Sequence, residues 1–292
     1  MQKQKVIVIL GQTATGKSDF AVKVAKKYNG EIISADSRQV YKGLDIGTGK
    51  ISKKEMRGIP HYLIDVVSLK KKFAVTEYQK KAISAIAEIL SRGKTPVICG
   101  GTGFYIDAIT KGVVFPTVPP NLKLRKILEK KSTEELFKIL KKLDTRRAKN
   151  IDSKNKVRLV RAIEIATAIG KVPEIKETKS PFKFIKIGLY LPEDKLKKKI
   201  EKRVKKMFQM GLLKEIKRLK KAGVSDKRLK EFGFEYFNPT PEKVIKETIK
   251  YAKRQMTWFK RDKEIKWFEP IESKAILAFL NESSDKLQVK LK

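Results

Sequence analysis

The amino-acid sequence predicts an α/β fold, in which a parallel sheet is flanked by helices and an all-helical insertion interrupts the chain. Short, largely apolar segments alternate with segments of helical spacing over the N-terminal part of the sequence. These segments lack the alternation of apolar and polar residues that is typical of a sheet with one solvent-exposed face. We therefore expect a parallel sheet covered on both faces. The predicted strands are residues 6–10, 31–34, 62–67 and 96–99, and the predicted helices between them are residues 17–28 and 74–91.

Prolines mark the boundaries of the predicted insertion. Residues 116–120 are Pro-Thr-Val-Pro-Pro, and two further prolines close the helical stretch that follows. Because proline interrupts helices and strands, we predict a catalytic core of residues 1–116 and 182–292, with residues 117–181 as the insertion. The elements predicted after the insertion are a strand at 182–191 that returns to the sheet, helices at 194–207, 212–221 and 242–261, and a weak tail from 278 onward.

The charge balance is strongly basic. The chain holds 69 lysines and arginines against 32 aspartates and glutamates, which gives a formal charge of +37. An excess of this size favours a polyanionic partner, and nucleic acid is the obvious one. The alternative is a lysine-rich composition spread over solvated helix faces, which the three lysines at 197–199 also fit.

Composition excludes several classes of protein. The chain has one cysteine, Cys99, and one histidine, His61, which rules out a disulfide framework and a zinc site of the usual Cys/His type. The longest apolar runs are too short to cross a bilayer. A strand and a glycine loop begin within the first eleven residues, which leaves no room for a signal peptide. We therefore expect a cytoplasmic protein that contacts no membrane. Separately, we expect a monomer.

Residues 11–18 match the phosphate-binding pattern G-x-x-x-x-G-K-[ST], directly after the first predicted strand and at the start of the first predicted helix. Glycines let backbone N–H groups turn toward phosphate oxygens, and the helix N-terminus adds positive partial charge. Lys17 adds a full charge, and the Ser18 hydroxyl can ligate Mg²⁺. The motif indicates a P-loop NTPase-like core but does not identify the phosphate compound. The predicted phosphate-binding residues are Gly11, Gln12, Thr13, Ala14, Thr15, Gly16, Lys17 and Ser18.

An ATP-using kinase or ATPase is the default interpretation of this motif. Asp65 ends the apolar segment Tyr62-Leu63-Ile64-Asp65 and could serve as a Walker-B-like carboxylate. It could equally cap a loop at the end of a strand, and the sequence leaves both interpretations open. No arginine finger or sensor motif is identifiable in the sequence.

Polar residues follow two of the predicted strands, at the edge where parallel sheets bind ligands. Asp36 follows the second strand and could take up a proton or hold a metal, while Ser37 and Gln39 could bond the edge of a base. An Asx turn is the structural alternative for Asp36. Thr102 lies among the glycines of residues 100–103, which permit close approach of a ligand or form a tight turn.

A regular series of polar residues runs through the insertion. Asn155, Arg158, Arg161 and Glu164 recur every three residues. On a helix the two arginines would lie on neighbouring turns of one side and could grip phosphates. The alternative is an exposed helix stabilised by ion pairs between its own side chains.

Taken together, these segments resemble the tRNA dimethylallyltransferase (tRNA isopentenyltransferase) family over nearly the whole chain. Six segments match in the family's order, namely GQTATGKS, SADSRQVYKGLDIGT, HYLID, GGTGFYI, NKVRLVRAIE and KRQMTWF. The chain departs from the family's pattern at three positions. Tyr62 stands where a second histidine is common, Phe234 where tyrosine is usual, and Lys250 where arginine is common.

The resemblance implies a reaction and its partners. Dimethylallyl diphosphate would be the donor, Mg²⁺ the cofactor, and the adenosine immediately 3′ of the anticodon in a tRNA anticodon stem-loop the acceptor, with the insertion contacting the tRNA. Asp36 would act as base on the exocyclic amine with Thr102 orienting it, and Lys17 and Arg254 would offset the charge of the departing diphosphate. The expected tRNA-binding residues are Asp36, Ser37, Arg38, Gln39, Thr102, Arg125, Val157, Arg158, Leu159, Val160 and Arg161.

Two other enzymatic functions stay open from the residues alone. An adenylate isopentenyltransferase, acting on free AMP or ATP, would share the core chemistry but has little need for a basic helical insertion. A small-molecule P-loop kinase would need an ATP γ-phosphate and a different acceptor site.

Overall fold

A computed structural model describes residues 3–174 and 176–285 of the chain. Its strands are β1 (Gln4–Gly11), β2 (Gly30–Ala35), β3 (His61–Tyr62), β4 (Thr95–Gly100), β5 (Val113–Val114), β6 (Lys176–Glu177), β7 (Phe182–Leu189) and β8 (Lys266–Phe268). Six of these strands form one parallel sheet in the order β3-β2-β4-β1-β7-β8. The predicted parallel α/β fold is confirmed.

The helices lie on both faces of this sheet and in the insertion. They are α1 (Lys17–Lys27), α2 (Lys53–Met56), α3 (Val75–Ser91), α4 (Gly103–Thr110), α5 (Leu122–Leu128), α6 (Thr133–Leu143), α7 (Thr145–Lys149), α8 (Lys156–Ile169), α9 (Glu193–Gln209), α10 (Leu212–Lys221), α11 (Asp226–Phe232), α12 (Pro241–Phe259) and α13 (Ser273–Asp285). Among the described residues, no helix is both long enough and apolar enough to cross a membrane.

The central strand β1 shows why its sequence is apolar without alternation. Val6 and Val8 pack into the core formed with α3 and α4, whereas Ile7 and Ile9 pack into the core formed with α1 and α13. All four side chains are at most 4% exposed. A strand covered on both faces needs apolar residues at every position, and this one has them.

The register of the sheet brings three loops to one edge. Leu10 of β1 and Ala35 of β2 both pair with Gly100 of β4. Because the strands are parallel, the segments that follow β1, β2 and β4 leave the sheet at this same edge. These segments are the P-loop, the Asp36 segment and the Thr102 segment.

The chain divides into two compact units, the second of which is Val113–Thr178. The predicted insertion, residues 117–181, overlaps this unit, whose edges lie three to four residues earlier. It contains α5 to α8 around its own core, with Leu136, Leu140 and Leu159 fully buried. The unit is not all-helical, because β5 and β6 form a short antiparallel pair where the chain enters and leaves it.

The predicted strand at residues 62–67 is wrong beyond Tyr62. Leu63 and Asp65 adopt left-handed backbone conformations, with φ of 62° and 56°. Such values are incompatible with a continuous strand, so the chain turns away from the sheet edge and only β3 pairs with β2. The apolar composition of the segment reflects burial of Leu63 and Val67, and Val67 forms an isolated bridge with Tyr41 outside the sheet.

The weak tail predicted from residue 278 is also wrong over its first part. Helix α13 continues to Asp285, and Ile276 and Leu280 are almost fully buried against the face of the sheet that α1 covers. Their spacing of four residues places both on one side of the helix. Residues 286–292 lie outside the described part of the chain.

Candidate active site

Residues 11–18 form a tight loop between β1 and α1, and two glycines make the loop possible. Gly11 has φ 136°, and a Cβ there would collide with the carbonyl oxygen of Leu189 on β7. Gly16 has φ 90° and precedes α1 without a side-chain cap, so the first N–H groups of the helix are available to an anion. The loop therefore has the backbone of a phosphate cradle.

Lys17 lies at the start of α1, and its ammonium group turns back onto the loop. Its Nζ donates to the Gln12 carbonyl oxygen at 2.5 Å, and the Thr15 hydroxyl donates to the same oxygen at 2.9 Å. Burial lowers the pKa of Lys17 to about 8, and the nearby Arg203 guanidinium acts in the same direction. A bound polyanion would favour the charged form of this lysine.

Helix α12 holds the P-loop through a hydrogen-bonded glutamine. The Gln255 side chain accepts a hydrogen bond from the Thr13 N–H at 2.7 Å and donates one to the Gly101 carbonyl oxygen at 2.8 Å. Trp258 covers Gly103, where a Cβ would collide with the indole ring. The KRQMTWF segment therefore acts as a structural bridge between the P-loop and the glycine segment after β4.

The segments that contain Asp36 and Thr102 are hydrogen-bonded to each other beside this bridge. One oxygen of Asp36, Oδ1, accepts hydrogen bonds from the N–H groups of Arg38 at 2.8 Å and Gln39 at 3.2 Å. This is the Asx turn that was the structural alternative, and it leaves Oδ2 without a hydrogen bond from the described residues. The Thr102 hydroxyl accepts from the Ser37 N–H at 3.0 Å. The turn therefore holds the carboxylate in place while one oxygen stays available.

A cavity of about 100 Å³ joins the P-loop to the Asp36 segment. Lys17 and Ser18 lie on one side, and Tyr251 and Gln255 of α12 form part of its wall. Burial raises the pKa of Tyr251 to about 12, and the Asp36 carboxylate acts in the same direction. The predicted site residues that line the cavity are Thr13, Lys17, Ser18, Asp36, Ser37, Arg38 and Gln39.

Arg203 of α9 also lines this cavity, and we did not predict it from the sequence. Its Nη2 donates to the Thr48 carbonyl oxygen at 3.2 Å, and it forms no ion pair with any described residue. Burial lowers the pKa of its guanidinium. One signal in the sequence could have identified it, since Arg203 falls beside Ile200 and Val204 on the apolar stripe of a helix that is otherwise lysine-rich.

Two arginines predicted for ligand binding differ in position, since Arg38 lines the cavity but is paired and Arg254 does not line it. Arg38 pairs with the buried Glu235 at 2.6 Å and stacks on the Phe234 and Tyr251 rings. Arg254 is exposed on α12, with its guanidinium 5.8 Å from the centroid of the Tyr251 ring, and it does not line the cavity. Arg203 takes the place on the cavity wall that was expected for Arg254.

In the second unit, a buried carboxylate organises the predicted tRNA-binding arginines. Glu164 is 1% exposed and accepts hydrogen bonds from the guanidinium groups of Arg125, at 2.8 Å, and Arg161, at 2.5 Å. Arg161 also donates to the Val118 carbonyl oxygen at 2.8 Å. Arg125 therefore joins α5 to α8, and Arg161 joins α8 to the segment before α5. The Arg161–Glu164 pair lies within α8, as in the ion-pair alternative, but its carboxylate is buried and not on an exposed helix face.

The remaining predicted residues of α8 divide into two groups. The side chains of Leu159 and Val160 are buried in the core of the second unit, so they cannot contact RNA. Val157 is 80% exposed, and Arg158 is exposed beside it. Of the two arginines expected to grip phosphates from α8, only Arg158 is free of an ion pair among the described residues.

Asp65 is engaged in a structural ion pair. Its carboxylate accepts a hydrogen bond from Lys50 Nζ at 2.5 Å, and the same ammonium group binds Asp45 at 2.8 Å and the Tyr41 carbonyl oxygen at 2.9 Å. Asp65 does not line the cavity beside the P-loop. The loop-stabilising interpretation therefore accounts for its position.

Comparison with known proteins was made with the whole chain. The family model described as "IPP transferase" matches residues 39–262. A tRNA dimethylallyltransferase of Anoxybacillus flavithermus is 40% identical over 281 residues, which cover 91% of this chain and 90% of that protein. The tRNA dimethylallyltransferase of Bacillus subtilis is 37% identical over 286 residues, which cover 91% of each.

Solved structures give the same result. The full-length tRNA isopentenylpyrophosphate transferase of Bacillus halodurans superposes with a TM-score of 0.72 at 33% identity, covering 98% of this chain and 99% of that one. A eukaryotic dimethylallyltransferase acting on tRNA superposes with a TM-score of 0.77 at 31% identity, covering 88% of this chain and 70% of that one. By sequence and by fold, the chain belongs to the IPP transferase family.

Proposed function

We propose that this protein is a prenyltransferase that moves a dimethylallyl group from dimethylallyl diphosphate to N6 of the adenosine immediately 3′ of the anticodon in tRNA. The product is N6-isopentenyladenosine. One observation carries the proposal, namely that a phosphate cradle and a carboxylate with a free oxygen line the same cavity. Relatives named tRNA dimethylallyltransferase support the choice of substrates.

The cradle would receive the diphosphate of the donor. When the allylic C–O bond breaks, its electron pair leaves with the diphosphate, and negative charge accumulates on the leaving oxygens. Lys17, Arg203 and the N–H groups at the start of α1 would offset that charge. Burial raises the pKa of Cys99, on the cavity wall, to about 12, so its thiol is not a nucleophile at neutral pH.

Asp36 would assist the attacking amine. The lone pair of adenine N6 is delocalised into the ring, so the amine is a poor nucleophile and gains from losing a proton as the C–N bond forms. Asp36 has one oxygen fixed by two backbone N–H groups, which leaves the other to accept that proton. Thr102, bonded to Ser37 and beside Tyr251, would orient the amine.

The residues at the P-loop fit Mg²⁺ as the cofactor. This ion is usually held by one or two protein oxygens together with substrate phosphates and water. The Ser18 hydroxyl supplies one such oxygen, and the described residues contain no cluster of three or more acidic, cysteine or histidine side chains that would hold the metal alone. When bound, the ion would neutralise charge on the departing diphosphate.

The acceptor adenosine would reach this cavity by leaving its stack, at a cost of a few kcal/mol that an anticodon loop reduces because its bases are partly unpaired. The second unit, residues 113–178, would contact the tRNA, with Arg158 and the neighbouring Val157 as its exposed contact residues. We also propose that it acts as a monomer. With tRNA as its substrate, it would act in the cytoplasm.

The decisive experiment supplies one labelled donor and several acceptors. The protein is incubated with radiolabelled dimethylallyl diphosphate, Mg²⁺ and unmodified tRNA, AMP or no acceptor, and ATP hydrolysis is measured in parallel. Label in tRNA supports the proposal. Label in AMP would instead indicate an adenylate isopentenyltransferase, and ATP hydrolysis without any transfer would indicate a kinase-like enzyme.

A further inference from the structure

A buried carboxylate outside the cavity holds one of the cavity's walls. Glu215 of α10 is 5% exposed, and its Oε2 accepts hydrogen bonds from the N–H groups of Asp45 at 3.2 Å and Ile46 at 2.8 Å. Its Oε1 accepts from the Gly47 N–H at 3.2 Å and from the Tyr236 hydroxyl at 2.9 Å. One carboxylate therefore binds three consecutive backbone N–H groups, which fixes the course of the chain there.

The segment that Glu215 holds, residues 45–49, faces the cavity with its glycine-rich part. Gly47, Thr48 and Gly49 line the cavity. The Thr48 carbonyl oxygen accepts the hydrogen bond from Arg203, and a Cβ at Gly49 would collide with the same guanidinium group. The position of Arg203 therefore depends on where this segment lies.

The segment has no room to shift toward the protein interior. A Cβ at Gly47 would lie 2.5 Å from the Tyr236 ring, and Tyr236 is fully buried. Lys50, at the end of the segment, is anchored by Asp45 and Asp65. Glu215 and Tyr236 thus define the inner boundary of the segment, and Arg203 contacts its outer side.

We propose that Glu215 is a positioning residue for the reaction. By holding residues 45–49, it sets Arg203 and the Gly47–Gly49 wall at the distance that suits a bound diphosphate. Glu215 does not line the cavity and would not touch the donor. The inference rests on the proposed function for the identity of the donor, but the anion site can be tested without prenyl transfer.

The test compares two buried glutamates. In Glu215→Gln, one oxygen is replaced by an N–H₂ group that would face at least one of the three backbone N–H groups, so the segment should move. Glu31→Gln is the matched control, because Glu31 is 1% exposed and bonded to Arg92, Lys94 and Tyr62 near the opposite end of β2. The binding of inorganic pyrophosphate with Mg²⁺ is measured by calorimetry, and Tm is measured in parallel.

Both variants should lose thermal stability, but only Glu215→Gln should bind pyrophosphate about tenfold or more weakly. In kinetics, its KM for dimethylallyl diphosphate should rise while its KM for tRNA stays unchanged. Wild-type pyrophosphate affinity in Glu215→Gln would overturn the proposal. Should wild type bind pyrophosphate but prenylate no acceptor, the proposed function fails while the role of Glu215 is still tested.

Two further variants keep the test informative if Glu215→Gln does not fold. Gly47→Ala displaces the same segment by its contact with the Tyr236 ring and leaves the carboxylate intact, so it should also weaken pyrophosphate binding. Tyr236→Phe removes the fourth hydrogen bond and keeps the three backbone bonds, so its pyrophosphate affinity should stay within about twofold of wild type. The opposite ranking of these two variants would contradict the proposal.

Discussion

Lys17 is a buried cation whose charge changes within the working range of pH. Burial lowers its pKa from 10.5 to about 8, so the ammonium form predominates below pH 8 and the neutral amine above it. Of these two forms of Lys17, only the ammonium form attracts the donor diphosphate. The pH dependence of kcat/KM reports groups in the free enzyme, and this lysine is one of them.

We predict that kcat/KM for dimethylallyl diphosphate declines above about pH 8, approaching a tenfold loss per pH unit. The measurement is the initial rate at low donor concentration between pH 6.5 and 10, with tRNA saturating. Tm recorded over the same range controls for unfolding. A rate that stays constant to pH 10 would show that Lys17 keeps its ordinary pKa.

Asp36→Asn should lower kcat by about 10²–10⁴, because the amide retains an oxygen for the Asx turn but cannot take up a proton. Single-turnover transfer to tRNA measures this step, and donor affinity should remain near that of wild type. Asp65→Asn is the comparison, because it lies outside the cavity and leaves Lys50 paired with Asp45. A large loss in Asp65→Asn with little loss in Asp36→Asn would reverse the assignment of the base.

At this scale, sequence patterns identified the residues that belong to contiguous motifs. Lys17, Ser18 and Asp36 lie in such motifs, and all three line the cavity. Arg203 was missed because it lies about 185 residues after the P-loop in the chain, and only the packing of α9 brings it there. Arg254 stands inside a motif, yet it is exposed, since Gln255, Trp258 and Phe259 are the residues of that motif that face inward.

Helix α12 shows how one element connects two others. Gln255 is 6% exposed and satisfies one N–H of the P-loop and one carbonyl of the glycine segment after β4. Within the described part of the chain neither group has another backbone partner, so the bridge contributes both stability and geometry.

Gln255→Met keeps the volume of the side chain but leaves these two backbone groups unpaired. We expect a loss of about 1–3 kcal/mol in the free energy of unfolding, measured by urea denaturation, together with weaker donor binding. Thr257→Ala is the control on the exposed side of the helix, where the hydroxyl bonds only to the Lys253 carbonyl oxygen. Equal stability of the two variants would show that the bridge is dispensable.

Elements were predicted well where one periodic pattern persisted over a long segment. Helices α3, α9 and α12 each run for at least 17 residues, and their bounds lie close to those expected. The strand predicted at residues 62–67 was wrong because buried loops and buried strands have similar composition. Only the left-handed backbone conformations of Leu63 and Asp65 show that this segment is a loop. The three-residue strand β8 is too short to carry a pattern.

At the scale of the whole molecule, the second unit is the proposed partner of the RNA. Arg158→Ala should weaken tRNA binding and reduce the slope of log Kd against log salt by roughly 0.7–0.9, without changing Tm. Fluorescence titrations of tRNA at several salt concentrations measure both quantities. An unchanged slope would remove Arg158 from the interface.

Arg161→Ala is the informative counterpart on the same helix. The Arg161 guanidinium binds the buried Glu164. Removing it should lower Tm, because the buried carboxylate loses one of its two cationic partners. Arg125 would keep Glu164 partly paired. A fall in the salt slope without a fall in Tm would mean that Arg161 serves RNA rather than the fold.

The shared cavity of Lys17 and Arg203 has a consequence for turnover. Burial lowers the pKa values of both side chains, and the Arg203 guanidinium lowers the pKa of Lys17 further. A multivalent anion would offset both positive charges, whether it is the diphosphate of the donor or free pyrophosphate. Pyrophosphate left behind after transfer should therefore depart slowly, so its escape, and not bond making, would set the steady-state pace and leave the protein sensitive to inhibition by its own by-product.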